Sequence, residues 1–131
     1  TGLGIPGIPI AILKPGLKVK LVESNKAKAI FLEETISELK LDKAEVIRGR
    51  IDSLAELPEV ACATIRAVER MERVLLDVLR IGSRCRQILV FGNPEIESLI
   101  SSRLASYPGR IESHLIPGSE RRYLIQSIRF T

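Results

Sequence analysis

Thr1-Gly2-Leu3-Gly4-Ile5-Pro6-Gly7 opens the chain, and the reading of the fold turns on it. Glycines at 2, 4 and 7 satisfy G-x-G-x-x-G, in which the absent side chains permit a tight turn and let a ligand approach the backbone. A glycine loop entering an apolar helix is a cradle for anions and nucleotides. The spacing alone fits an ordinary turn equally well, so the residues that follow must supply the rest of a site. Loops of this kind normally follow the first strand of a βαβ unit. No strand precedes this one, and the sequence reads as a fragment that lacks a strand near the middle of its sheet.

Beyond the loop, Ile8 to Leu13 reads as a short buried helix stopped by Pro15-Gly16. Leu17 to Glu23 follows as a strand, and Ser24 or Asn25 can cap a helix over Lys26 to Leu39. In that helix Ile30, Phe31, Glu34, Ile36 and Leu39 fall at spacings that leave one mostly apolar face and a charged one. Ala44 to Arg48 is a second strand, and Gly49 to Ser53 turns into a short helix ended by Pro58. Ala61 to Ile65 is a buried strand, followed by an amphipathic helix over Glu69 to Arg80 closed by Gly82. Gln87 to Phe91 is a continuous apolar strand, and Pro94 to Leu104 is a helix with proline in its first turn. Ile111 to Ile116 and Arg122 to Phe130 alternate around Pro117-Gly118-Ser119, which predicts a terminal antiparallel pair.

Regular alternation of strand and helix predicts one α/β domain over residues 1–131, with a mostly parallel, Rossmann-like sheet, helices on both faces and an antiparallel C-terminal strand. The chain has 131 residues, 45% of them hydrophobic, which suits one domain with a sizeable core. Net charge is +4, a modest excess that favours polyanionic partners. Cys62 and Cys85 lie in apolar runs without metal-ligand spacing, which predicts reduced core thiols, no metal and a cytoplasmic protein. Ile5 to Leu13 is the longest apolar stretch, too short to span a bilayer and broken by Pro6, Gly7 and Pro9. A monomer without membrane partners is expected.

Ligands of open α/β sheets sit beyond the carboxyl ends of the strands. Four groups fall there: the glycine loop, Glu23-Ser24, Arg50-Ile51-Asp52 and Arg66. Glu23 lies about 20 residues past the glycines, where an acid accepts hydrogen bonds from ribose hydroxyls. The arrangement suits a nicotinamide or flavin dinucleotide and S-adenosylmethionine alike, and spacing does not separate them.

The wording of the blocks does. Thr1 to Pro9, TGLGIPGIP, and Leu21 to Leu32, LVESNKAKAIFL, resemble the bacterial ribosomal RNA methyltransferases of the glucose-inhibited division protein B family. The likeness continues through Gly49-Arg50-Ile51-Asp52, Arg66-Ala67 and Glu120-Arg121-Arg122-Tyr123-Leu124, in order along nearly the whole chain. The resemblance implies a class I methyltransferase fold and methyl transfer from S-adenosylmethionine to N(7) of a guanine in 16S small-subunit ribosomal RNA, free or in the assembling 30S subunit. It also implies a helical N-terminal segment and a first strand that this chain does not include. Gly2, Gly4, Ile5 and Gly7 would contact the cofactor, Glu23 would hold the ribose, and Ile51 and Asp52 would flank the adenine. Arg66 would lie beside the cofactor facing the RNA as the catalytic candidate, and Arg121 or Arg122 would meet the target RNA.

The chemistry is compatible. Guanine N(7) carries a lone pair and no proton, so attack on a sulfonium methyl needs positioning rather than a general base. Arginine's forked donors suit guanine edges and phosphates alike. His114, the sole histidine, reads as structural. After the strand Gln87 to Phe91 the family generally shows Lys-Gly, where this chain has Phe91-Gly92, an apolar replacement expected to weaken activity. The alternatives are an RNA-binding remnant that has lost catalysis and a nicotinamide-dependent oxidoreductase.

Overall fold

The computed structural model describes residues 2–51, 60–66, 85–103, 105, 110–120 and 123–129. The described elements, in chain order, are α1 (Gly7–Leu13), β1 (Val19–Glu23), α2 (Lys26–Glu38), β2 (Ala44–Arg48), β3 (Val60–Arg66), β4 (Cys85–Gly92), α3 (Pro94–Arg103), β5 (Glu112–Leu115) and β6 (Tyr123–Arg129). The helices expected near Leu57 and over Glu69 to Arg80 lie outside the described residues. The chain divides into two compact units, Thr1–Ala55 and Glu56–Thr131.

In the first unit β1 and β2 pair in parallel, Val19 with Ala44 through Glu23 with Arg48. Ile8 of α1, Leu21 of β1 and Leu32 of α2 form its core, with Val19, Ile36, Leu41 and Val46 packed against them. Asn25 caps α2, its side-chain oxygen accepting from the Lys28 N–H at 3.0 Å, which satisfies one of the donors a helix start leaves open. The buried residues of α2 are Ala29 and Leu32, while Ile30, Phe31 and Leu39 are exposed, which corrects the expected apolar face. Spacing decides this over bulk. Positions 29, 32 and 36 fall on one stripe of a 3.6-residue helix, and 30 and 31 turn away from it.

The end of α2 is a Schellman motif. The Leu41 N–H donates to the Ile36 carbonyl at 3.0 Å and the Lys40 N–H to the Ser37 carbonyl at 3.2 Å, while Ile36 and Leu41 both pack against the core. Lys40 stands at the position that needs a left-handed backbone, with φ 51°. An L-residue with a Cβ is strained there by roughly 1–2 kcal/mol, against roughly 0.5–1 kcal/mol of extra chain entropy lost by glycine. Lys40→Gly is expected to raise stability by about 0.5–1 kcal/mol in urea unfolding, and a loss of stability would count against this account.

In the second unit the sheet order is β3-β4-β6-β5. β3 and β4 are parallel, whereas β4 with β6 and β5 with β6 are antiparallel, so the predicted C-terminal antiparallel pair is present. The pairing of β4 with β6 shifts register between Ile88 and Leu89. Ile88 and Val90 of β4 and Ile96 and Ile100 of α3 are buried. Asn93 stands before α3, its side chain accepting from the Ile96 N–H at 3.0 Å.

The single, mostly parallel sheet expected from the sequence is met in part. Two parallel pairs form, but the described strands make one two-stranded and one four-stranded sheet, the larger one mixed. Alternation marks a strand and leaves its partner to long-range pairing. Cys85 is buried as expected, and burial, with Cys62 nearby, pushes its thiol up to about 11. Cys62 is exposed, which corrects its assignment to the core. An apolar run identifies a strand without saying which of its faces is covered.

Candidate functional site

The glycine loop is held by a carboxylate. The Gly2 N–H donates to Glu23 Oε2 at 2.7 Å, and the Asn25 N–H donates to Oε1 at 2.8 Å. Glu23 is the last residue of β1 and is 8% exposed. Burial by itself pushes its acid up, but the backbone donors Asn25 and Gly2 favour the charged form and the balance lies below the usual carboxylate value. The main-chain carbonyl of Glu23 also accepts the Gly49 N–H at 3.0 Å, which ties the turn after β2 to the tip of β1.

Each glycine in the loop has its own reason. Gly2 has φ +62° and open space where a Cβ would stand, so it leaves room for a ligand beside the backbone. Gly4 has φ +84°, and a Cβ there would meet Ile8 Cγ1 at 2.5 Å and Leu32 Cδ2 at 2.9 Å. At Gly7 a Cβ would run into the Leu21 side chain. Gly4 and Gly7 therefore bring α1 close to β1 and α2, while Gly2 faces free volume. The Ile8 N–H donates to the Gly4 carbonyl at 2.7 Å and carries the loop directly into α1.

Of the other candidates in this unit, Ile5 is exposed and Ile51 is half-buried, two residues past the Gly49 anchor. Asp52, Arg121 and Arg122 lie outside the described residues. In the second unit Arg66 is the last residue of β3 and exposed, in register with Phe91 of β4, and Phe91 is in turn in register with Leu124 of β6. His114 on β5 is exposed, its Nε2 3.8 Å from Glu112 Oε2. The structure thus brings Gly2 and Glu23 into direct contact and sets Arg66 at a strand tip.

Two participants are not evident from the sequence. Asn25 is expected as a cap, and its backbone N–H also orients Glu23. Acid followed two residues later by a capping residue at a strand-to-helix turn is the signal for that contact. Gly49 carries no such signal, since its bond to Glu23 depends on the β1-β2 register.

The model of the rRNA small subunit methyltransferase G family matches residues 1–102. Ribosomal RNA small subunit methyltransferase G of Xanthomonas axonopodis pv. citri (strain 306) is 35% identical over 130 residues, 95% of this chain and 60% of that protein. The protein of the same description from Stenotrophomonas maltophilia (strain K279a) is 43% identical over 82 residues, 63% of this chain and 37% of its own length. The chain therefore spans less than two thirds of these relatives. Among solved structures, the human methyltransferase 10 domain containing protein aligns with TM-score 0.76 at 14% identity, over 99% of this chain and 68% of that one. TrmK of M. capricolum, in complex with the cofactor product S-adenosyl-homocysteine, aligns with TM-score 0.74 at 12% identity, over 94% of this chain and 56% of that one. These likenesses give the fold, an α/β methyltransferase-like one.

Proposed function

The chain belongs to the rRNA small subunit methyltransferase G family, and from that membership we propose that it carries the catalytic portion of an S-adenosylmethionine-dependent enzyme that methylates N(7) of a guanine in 16S small-subunit ribosomal RNA. The observation that carries the proposal is the Glu23 carboxylate, buried at a strand tip and tied to the backbone of a glycine loop. A carboxylate can accept about four hydrogen bonds, and this one is fixed in direction by Gly2 and Asn25 before any ligand arrives. The open space at Gly2 beside it suits a ligand pressed against main chain. The residues present therefore fit the cofactor. Glu23 would accept from its ribose hydroxyls, Gly2, Gly4, Ile5 and Gly7 would line its amino-acid end, and Ile51 and Asp52 would flank its adenine.

Bound S-adenosylmethionine supplies an electrophilic methyl group on a sulfonium. The protein's part is to orient that methyl towards a guanine whose N(7) lone pair is already available, so the site works without a general base. Arg66 is proposed beside the cofactor as the residue that meets the guanine. Its guanidinium can donate to the O6 acceptor of the guanine edge or to a neighbouring phosphate. Arg121 and Arg122 are proposed to hold the RNA backbone around the target.

The finer fold reading belongs to the same proposal: residues 1–131 form one class I methyltransferase domain, cytoplasmic and monomeric, in which a first sheet strand outside this chain is missing. Among the described residues no helix is long and apolar enough to cross a membrane. Calorimetric titration with S-adenosylmethionine, alongside a nicotinamide dinucleotide, tests the cofactor. Binding of the first and not the second is expected, and the reverse would replace the proposal with an oxidoreductase.

A further inference from the structure

At the amino ends of β1 and β2, the opposite end of β1 from Glu23, lysines outnumber acids. Val19 and Ala44 are the first paired positions of the two parallel strands, and the residues just before them are Lys18 and Lys43. The Val19 N–H donates to the Lys43 carbonyl at 2.9 Å, so the two backbones remain adjacent there. Two residues along, Lys20 faces Glu45 across the same pair and forms an ion pair at 3.0 Å. Lys18 and Lys43 thus bring like charges to adjacent backbone positions, whereas Lys20 and Glu45 bring opposite ones.

Lys43 Nζ reaches the Gly16 carbonyl at 3.5 Å, which draws its ammonium over the turn from Lys14 to Lys18. Lys14 and Lys40 are exposed on the same turn and on the cap of α2, and neither makes an ion pair among the described residues. Asp42 is the only acid within segments 14–18 and 39–44. Lys40 holds a left-handed position where glycine would be less strained, so its side chain is kept against a local backbone preference. It borders an open depression of about 430 Å³ lined with Ile36, Ser37, Leu41, Asp42 and Ala44.

We propose that Lys14, Lys18, Lys40 and Lys43 form a second RNA contact, a phosphate-backbone surface at the amino end of the sheet that anchors the substrate away from the reacting base. Its cations are all lysines, four against the single Asp42, and lysines are point charges suited to phosphates without reading sequence. Its separation from Glu23 by the length of a five-residue strand, roughly 13 Å at the usual rise, leaves the cofactor end clear. The proposal rests on the RNA substrate argued above.

The test compares the wild-type chain with the Lys18→Ala/Lys43→Ala double variant, using a short mixed-sequence single-stranded RNA over a range of salt. The variant is expected to bind about tenfold more weakly at low salt, with the log–log salt slope flattened by roughly 1.4, about 0.7 for each phosphate that is no longer neutralised. S-adenosylmethionine affinity and unfolding midpoint are expected to stay unchanged or, for the midpoint, to rise as the repulsion is removed. RNA binding with an unaltered slope in the variant overturns the lysine surface and leaves the methyltransferase reading standing. Failure of the wild-type chain to bind RNA at any salt while it binds S-adenosylmethionine overturns the surface together with the RNA substrate. Competition by polyglutamate as effective as by RNA assigns the surface to an acidic protein instead.

Discussion

Glu23→Ala is expected to weaken S-adenosylmethionine binding about a hundredfold or more, measured by calorimetry at neutral pH. Hydrogen bonds to a charged group contribute about 1.5–3 kcal/mol each, and two from a ribose diol amount to at least two factors of ten. The substitution also removes the acceptor of the Gly2 and Asn25 N–H groups and so releases the loop before ligand arrives. Glu23→Gln separates the two effects, because an amide oxygen retains one of those contacts while the charge is gone. It should fall between wild type and alanine. The pH dependence has a definite sign. The folded-state acid is depressed, so its contribution to folding stability is fully present above the ordinary carboxylate value and is lost as pH falls through the lower folded-state value, which urea unfolding across that range would read. Binding that is unchanged in Glu23→Ala would remove the ribose role.

Gly4→Ala is expected to destabilise the chain by about 2–5 kcal/mol in urea unfolding, the largest effect of any single methyl added to the loop's left-handed glycines. Two causes combine: an L-residue at φ +84° is strained by roughly 1–2 kcal/mol, and overpacking a filled core costs roughly 1–3 kcal/mol. Neither neighbour moves easily. Ile8 is β-branched and therefore stiff at χ1, and Leu32 is fully buried in the core of the first unit. Gly2→Ala is the internal control, because its φ is also positive but its Cβ meets nothing within 4 Å. It should cost about 1–2 kcal/mol from strain alone. Equal losses at the two positions would show that packing around Gly4 is not what requires glycine there.

Much of this arrangement could be read in the chain itself. Ala44 to Arg48, the Asn25 cap, the Pro15-Gly16 stop and the helix beginning at Pro94 come from local chemistry, and local chemistry is written in consecutive residues. The acid at the end of β1 could be placed because strand polarity and helix start fall on adjacent residues. Three features resisted. The buried stripe of α2 runs through the small Ala29 and not through Phe31, because packing against β1 and β2 rewards position over size. Cys62 is exposed although its run is apolar. The Gly49 bond to Glu23 requires the β1-β2 register, which pairs residues 25 apart in sequence and has no local signature. Arg66 could be placed at the tip of β3 from the end of an apolar run, and its role at the site stays a proposal with its own chemistry behind it.

Glu23 is more than a ligand candidate. Its side chain takes hold of a residue 21 positions earlier, and its main chain takes hold of the turn after the next strand. One residue thereby serves as the shared knot of two loops that chain connectivity leaves independent. The Gly49 bond needs β1 in place beside β2 and the Gly2 bond joins residues 21 apart, so both are non-local gains in folding. Once they form, the loop proposed to receive the amino-acid end of the cofactor and the turn leading to its adenine end are tensioned from a single point. A disturbance of either loop therefore reaches the other through that residue.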